Sequence, residues 1–109
     1  MGDCVFCKIV AGELPTEIVF EDEHTIAFKD INPHAPVHVL LVPKRHYDLL
    51  DELPDNEVEA GRLLLNVKKV AQLLGVAGAY KVVVNCGQPA GQVVPHLHFH
   101  ILAGKKFVL

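Results

Sequence analysis

Three histidines stand at alternate positions near the end of the sequence, within the otherwise apolar segment 96–102. Successive side chains of a β-strand point to opposite faces, so a strand would place His96, His98 and His100 on one face. A neutral imidazole can attack phosphorus through one ring nitrogen when the other donates its proton to a fixed acceptor. The spacing predicts a nucleophilic or metal-binding array. The alternative is a structural strand whose histidines satisfy local carbonyl groups.

A loop containing two glycines, residues 87–94, directly precedes these histidines. Backbone N–H groups beside glycine can approach a phosphate oxygen closely. Loops of this kind are often only turns, but the position of this one favours a phosphate site.

Two of the three cysteines, Cys4 and Cys7, are separated by two residues. In a reducing compartment such a pair more often binds metal or does redox work than forms a structural disulfide. The spacing suits two thiolates on one tetrahedral zinc ion, and two histidines would complete its coordination. A metal-free N-terminal turn and a reversible disulfide are the alternatives.

The composition and length predict one domain covering residues 1–109, because half of the residues are apolar and the length suits a single core. The net charge is -3 and the lysines and arginines form no dense cluster, so no nucleic-acid partner is expected. The N-terminus lacks the pattern of a signal peptide, and no apolar run approaches the roughly 20 residues of a membrane span. We therefore expect a soluble cytoplasmic protein with no membrane partner.

Apolar periodicity and the glycine and proline positions predict a mostly antiparallel α+β fold. Short connections favour a meander of five strands, covered on one face by one long helix. The expected strands cover residues 17–20, 25–29, 38–43, 80–85 and 98–103, and a short helix covers 6–10. The long helix is expected to run from an Asp55 cap to about Leu74, before Gly75. Its apolar stripe comprises Leu63, Leu64, Val67, Val70, Ala71 and Leu74.

Further motifs follow one another along nearly the whole chain. They are Phe6-Cys7-Lys8-Ile9, Phe20-Glu21-Asp22-Glu23, Ala27-Phe28-Lys29-Asp30-Ile31-Asn32-Pro33, His38-Val39-Leu40-Leu41-Val42-Pro43-Lys44 and Val83-Val84-Asn85. With the alternating histidines, this order resembles the histidine-triad (HIT) family of nucleotide hydrolases and transferases. The closest similarity is to the zinc-containing bacterial type of its Hint branch, whose members are purine nucleoside phosphoramidase-like. The resemblance implies a HIT-like fold and a homodimer in which two five-stranded sheets form one ten-stranded sheet.

The resemblance also implies the roles of the histidines. His98 matches the nucleophile, which attacks the α-phosphorus of a nucleoside monophosphate ester, anhydride or amide and forms a nucleotidyl-histidine. Water then releases the nucleoside monophosphate. His100 and His38 match the histidines that flank the phosphate, and His96 completes the catalytic set.

Substrate-binding residues follow from the same resemblance. Asp30 matches the carboxylate that holds the ribose hydroxyls, since an ionised carboxylate accepts two O–H donors, although it could also cap its loop. The implied base pocket comprises Phe6, Ile9, Phe28, Ile31 and Leu40, each of which also has the character of a core residue. The residues implied near the phosphate and leaving group are Asn85, Gly91, Gln92 and Val93.

Zinc-containing relatives imply Cys4, Cys7, His46 and His96 as ligands of a structural zinc ion with no open position, and no organic cofactor. The implied reaction is hydrolysis of purine nucleoside 5′-phosphoramidates and related nucleotidyl conjugates. A dinucleoside polyphosphate hydrolase of the Fhit type is one alternative. A nucleotide-binding regulatory protein with little turnover is another, because Val93 replaces a serine or threonine that many Hint proteins carry. The C-terminal segment 105–109 also differs from that of animal Hint proteins, so we expect a different specificity.

Overall fold

The computed structural model describes residues 4–109, which form one antiparallel sheet and two α-helices. The elements in chain order are α1 (Val5–Val10), β1 (Ile18–Glu21), β2 (Thr25–Lys29), β3 (Val37–Pro43), α2 (Glu57–Leu73), β4 (Tyr80–Val83) and β5 (Phe99–Ala103). Single 3₁₀ turns occur at Leu50–Glu52 and Gln88–Ala90. The predicted α+β class, with five antiparallel strands, one long helix and a short N-terminal helix, is confirmed. Neither helix of the described residues combines the length and apolar character that crossing a membrane requires.

The order of strands in the sheet is β1-β2-β3-β5-β4, so the predicted meander is correct for three strands and wrong for the last two. Strand β5 inserts between β3 and β4, and β4 becomes an edge strand. Burial explains the order, because four of the five β5 residues are buried and none of the four β4 residues is. A short, partly exposed strand suits an edge, whereas an apolar strand requires cover on both sides.

The two faces of the sheet have different partners. Helix α2 packs on the face that carries Leu41 and Ile101, through its buried Leu63, Val67 and Val70. Helix α1 covers part of the other face, where Phe6 packs with a cluster of apolar side chains. This cluster comprises Ile26, Phe28, Leu40 and Val42. The candidate site therefore lies on the face that carries α1.

Helix α2 corrects two details of the prediction. Asn56, not Asp55, is the N-cap, because its side-chain oxygen accepts hydrogen bonds from the N–H groups of Val58 and Glu59. Leu64 is 62% exposed and does not belong to the buried stripe. The buried Asn66 occupies the stripe instead, where it donates to Asp22 Oδ2 and Thr25 Oγ1. A polar residue can take this core position because its amide nitrogen has two hydrogen-bond acceptors.

Most predicted boundaries differ from the observed ones by one or two residues. β2 is as predicted, whereas β1, β3 and α1 are displaced or extended by one residue, and β4 ends at Val83 rather than Asn85. β5 begins at Phe99, one residue after the predicted start. The backbone before β5 is bonded elsewhere, because the Leu97 N–H donates to Tyr47 O across 2.7 Å.

Candidate active site

Strands β3 and β5 bring three histidine rings together. Leu40 lies opposite His100 and His38 lies opposite Leu102, so His38 and His100 are diagonal neighbours on one face. Their ring nitrogens, His38 Nε2 and His100 Nδ1, are 3.0 Å apart. The ring of His98, directly before β5, is centred 4.9 Å from that of His100. Residues that are 62 positions apart in sequence thus form one array.

His96 does not share this array, which corrects the prediction that all three alternate histidines lie on one strand face. His96 precedes β5 in a bend, and its fully buried ring contacts the sulfur atoms of Cys4 and Cys7. Its carbonyl group still serves the array, because His98 Nδ1 lies 2.7 Å from His96 O.

Backbone hydrogen bonds determine which ring nitrogen carries the proton. The His34 N–H donates to His38 Nδ1, so neutral His38 carries its hydrogen on Nε2 and donates it to His100 Nδ1. His100 then carries its own hydrogen on Nε2. A carbonyl only accepts, so His98 donates its Nδ1–H to His96 O. The array therefore offers a lone pair at His98 Nε2 and a donor at His100 Nε2.

The environment keeps these imidazoles neutral at pH 7. Burial lowers the pKa of His98 and of His38 below the ordinary histidine value, although Asp30 opposes the shift in both. For His100, burial is again the main cause, and repulsion from His98 and His38 adds to it, which lowers the pKa to about 4. A neutral imidazole is the form that can act as a nucleophile.

These shifts predict that acid destabilises the fold. His100 has a pKa of about 4 in the folded state against 6.5 normally, so the unfolded chain binds its proton first as the pH falls. The free energy of unfolding should therefore fall between about pH 6.5 and pH 4 and change little above pH 7. Urea titrations at several pH values measure this effect. The His100→Asn variant should show a shallower decline, and an equal slope in the variant would contradict this assignment.

A cavity of about 340 Å³ opens beside the histidine array. Its apolar wall includes Phe6, Ile9, Phe28 and Leu40, and its polar wall includes Asp30, His34, His98 and His100. A pocket with apolar walls and a few convergent polar groups is typical of a small-molecule site. Asp30 caps its loop, since its Oδ1 accepts the Asn32 N–H, and it also lines this cavity, where its predicted role toward the ribose remains a prediction.

The remaining predicted binding residues divide into two groups. Gly91, Ile31 and Val93 line the cavity, and the latter two are 87% and 89% exposed. The structure does not bring Asn85 and Gln92 to this cavity wall. Asn85 donates to Ala90 O, and the buried Gln92 joins Gly87 N–H, Asp48 O and Val94 O. Both side chains fix the loop that carries Gly91.

His34 lines the cavity although the sequence interpretation did not include it in the site, and the same is true of Val5, Thr16, Lys29, Asn32 and Val94. The centroid of the His34 ring lies 5.6 Å from that of His38. The signal for His34 was its position four residues before His38, in the turn that returns the chain to the same face of the sheet.

A second cluster joins Cys4, Cys7, His46 and His96, whose ligand atoms all lie within 4.8 Å of one another. The Cys7 Sγ–His46 Nδ1 and Cys4 Sγ–His96 Nδ1 distances are 3.1 and 3.3 Å. Tetrahedral zinc requires a sulfur–nitrogen separation of about 3.6 Å, given its usual bond lengths. The predicted ligand set is therefore assembled with a geometry that can hold a metal ion.

The outer contacts of this cluster also suit a cation. His46 Nε2 contacts Asp48 Oδ1 at 2.6 Å, and His96 Nε2 contacts Pro43 O at 2.9 Å. Both partners accept hydrogen bonds, so both Nδ1 atoms are left to face the sulfur atoms as ligands. Burial, together with Cys4, raises the pKa of the Cys7 thiol to about 11. A bound cation would reverse that shift, because thiolate is the form that ligates metal.

Asp30, His38 and His100 also lie close enough together to be considered as metal ligands. The tautomers argue against that use. His38 Nε2 carries a hydrogen, and His100 Nδ1 accepts it, so neither nitrogen has a free lone pair.

Comparisons with known proteins agree with this arrangement. The family model of the HIT domain matches residues 11–107. An uncharacterized HIT-like protein from Methanocaldococcus jannaschii is 48% identical over 101 residues, which cover 91% of this chain and 77% of the relative.

Two solved structures have the same fold. A HIT family hydrolase from Clostridium thermocellum has a TM-score of 0.94 at 46% identity, covering 100% of this chain and 96% of the other. A HIT family hydrolase from Legionella pneumophila has a TM-score of 0.92 at 40% identity, covering 97% and 96%. On these grounds, the chain belongs to the HIT family of histidine-triad proteins.

Proposed function

We propose that this protein is a nucleotide hydrolase that cleaves purine nucleoside 5′-phosphoramidates and related nucleotidyl conjugates to the nucleoside monophosphate. The observation that carries the proposal is the tautomer of His98, whose Nε2 lone pair is free at the cavity wall. Its Nδ1–H bonds to His96 O, which directs the lone pair of Nε2 away from that bond. Family membership and the similar HIT family hydrolases support hydrolysis as the reaction.

The two ends of the cavity suit the two ends of a nucleoside monophosphate. The apolar wall of Phe6, Phe28 and Leu40 would take the purine, and Asp30 would accept hydrogen bonds from the ribose hydroxyls. Asp30 Oδ2 lies 3.4 Å from His38 Nε2, so the ribose and phosphate positions would adjoin. In this order the α-phosphate would lie beside His98 and His100.

Two displacements at phosphorus then complete the reaction. His98 Nε2 forms a bond to the α-phosphorus while the phosphorus–nitrogen bond of the substrate breaks, and the amine leaves with that electron pair and a proton. The imidazolium of the intermediate is stabilised by the Nδ1–H bond to His96 O, and His100 Nε2–H can bond a phosphate oxygen. Water next attacks phosphorus, which regenerates neutral His98 and releases the nucleoside monophosphate.

Val93 limits the supply of protons to the departing amine. It stands 89% exposed at the cavity rim, and its isopropyl group has no donor. The proton must come from His100 or from water. This observation favours, as a second candidate, a nucleotide-binding protein with little turnover.

Trapping the intermediate separates the two candidates. The protein would be incubated with adenosine 5′-phosphoramidate, quenched in acid, digested and examined by mass spectrometry. An adenylate mass on the peptide that contains His98, followed by AMP release, would support the hydrolase. Folded protein that binds AMP but forms neither adduct nor AMP would favour the binding protein.

We also propose a structural zinc ion at Cys4, Cys7, His46 and His96. All four ligand positions would be filled by the protein, which is typical of structural sites. The ion would tie α1 to the segment before β5. Since Phe6 of α1 lies 5.1 Å from the His98 ring, centroid to centroid, the ion would also support one wall of the active site.

A homodimer is the assembly that the exposed apolar residues support. Val58, Leu65 and Leu73 on α2 are each at least 60% exposed, and β4 forms an edge of the sheet beside the half-exposed Val82. Exposed apolar side chains and an open strand edge favour self-association.

A charge on the exposed face of α2 should dissociate the proposed dimer. The Leu65→Glu substitution places a charge in the proposed interface, so the protein should sediment as a monomer at concentrations where the wild type is a dimer. The change lies on the outer side of α2, so circular dichroism should remain that of a folded chain. An unchanged sedimentation coefficient in the variant would exclude this face as the interface.

A further inference from the structure

A second cavity, of about 540 Å³, adjoins the cavity beside the histidine array. The two share Gly91 and Val93 as wall residues. The wall of the second cavity comprises Asp48, Leu49, Gly87, Gln88, Gly91, Gln92, Val93 and Pro95. A group bound to the phosphorus beside His98 would therefore need to pass only the Gly91–Val93 segment to enter it.

The walls of this second cavity combine apolar surface with one negative charge. Leu49, Val93 and Pro95 supply aliphatic contacts, and Asp48 is the only ionisable residue in the described wall. His46 contacts one carboxylate oxygen of Asp48, and the Asp48 side chain remains 57% exposed. Among the described residues of the wall, no lysine or arginine neutralises this charge.

Neighbouring carboxylates strengthen the negative potential. Glu52 accepts the backbone N–H of Asp48, which holds its carboxylate near the cavity rim. Asp51 contacts the sulfur of Cys86, the residue before Gly87 of the cavity wall. Charges of one sign around a concave surface raise the local concentration of the opposite charge.

We infer that the second cavity is the leaving-group subsite and that it selects amines whose aliphatic chain ends in a positive charge. The inference rests on the proposed hydrolase function and adds the class of leaving group. In a displacement at phosphorus, attacking and leaving groups lie roughly in line, so the leaving group departs away from His98. The alkyl chain then contacts Val93 and Leu49, and the terminal ammonium approaches Asp48.

Three matched substrates test this subsite. Adenosine 5′-phosphoramidates of 1,5-diaminopentane, n-hexylamine and 6-aminohexanoate have closely similar chains that end in an ammonium, a methyl and a carboxylate group. The expected order of kcat/KM is ammonium, methyl, carboxylate. One exposed ionic contact should favour the ammonium over the methyl compound by about two- to fivefold at low salt. The preference should shrink in 0.5 M NaCl, because salt screens exposed charges.

Gln88 allows a charge test that leaves the histidine array intact. It is exposed and lines only the second cavity. Gln88→Lys should lower the ammonium-to-methyl ratio, and Gln88→Glu should raise it, each by about twofold or more. Glu23→Gln is the matched control, because it makes the same charge change as Gln88→Lys in the turn between β1 and β2. Its ratio should equal that of the wild type.

The outcomes distinguish this inference from the proposed function. Turnover of all three compounds with ratios that neither Gln88 variant changes would overturn the subsite and retain the hydrolase. Absence of turnover would overturn the hydrolase, and calorimetry with the His98→Asn variant would then test the subsite by affinity alone. Tighter binding of the ammonium compound, weakened by Gln88→Lys, would support it. Equal affinities would overturn it.

Discussion

Replacing His98 with alanine is expected to lower kcat/KM for adenosine 5′-phosphoramidate by about 10⁴-fold or more. The substitution removes the nucleophile, and loss of a nucleophile costs several orders of magnitude because the covalent path disappears. The adenylate adduct should also vanish. The affinity for AMP should change by less than about threefold, since the purine and ribose contacts of the cavity remain. Steady-state kinetics and calorimetry measure the two effects separately.

His24→Ala is the matched control for this substitution. His24 lies in the turn between β1 and β2 with its side chain 44% exposed, away from the cavity walls. Its loss should leave kcat/KM within about twofold of the wild type. A His98→Ala variant that retains more than a tenth of the activity would disprove nucleophilic catalysis by His98. Hydrolysis would then depend on direct attack by water.

The bounds of each strand in the sequence could be predicted better than the order of the strands in the sheet. Strand β2 matched its prediction because Thr25, Ile26 and Phe28 are β-branched or aromatic. They follow a turn that Asp22 closes through the N–H groups of His24 and Thr25. The order of β4 and β5 depends on which strand is buried on both sides. Periodicity reports the faces of one strand but not the strand beside it.

The candidate site shows the same limit. Alternate spacing correctly suggested that the His98 and His100 rings lie together, but it gave no reason to include His38, which is 62 residues from His100. Only the motif order of the family implied His38. For His96 the spacing predicted the wrong position. The Leu97 N–H donates to Tyr47 O instead of joining the sheet, so the strand begins only at Phe99. Such tertiary contacts override the strand pattern and direct the His96 ring to the cysteines.

Removal of the proposed zinc ion should be the largest perturbation of stability. Cys7→Ser replaces one of four ligands, and we expect it to lower the melting temperature by about 10 °C or more. A metal site joining segments that are distant in sequence stabilises the fold because the unfolded chain cannot assemble it. Here the cluster connects Cys4 to His96 across 92 residues. Treatment of the wild type with a strong chelator should give a similar shift.

Cys86→Ser provides the control, because Cys86 lies outside the cluster and its sulfur donates a hydrogen bond to the Asp51 carboxylate. Its melting temperature should change by less than about 3 °C. Elemental analysis of protein purified without chelator should find one zinc per chain in the wild type and in Cys86→Ser, and much less in Cys7→Ser. A wild type with well under one zinc per chain would disprove the metal site. Equal shifts in both serine variants would show that the cluster stabilises the fold by packing alone, because loss of a ligand would then cost no more than loss of an ordinary thiol.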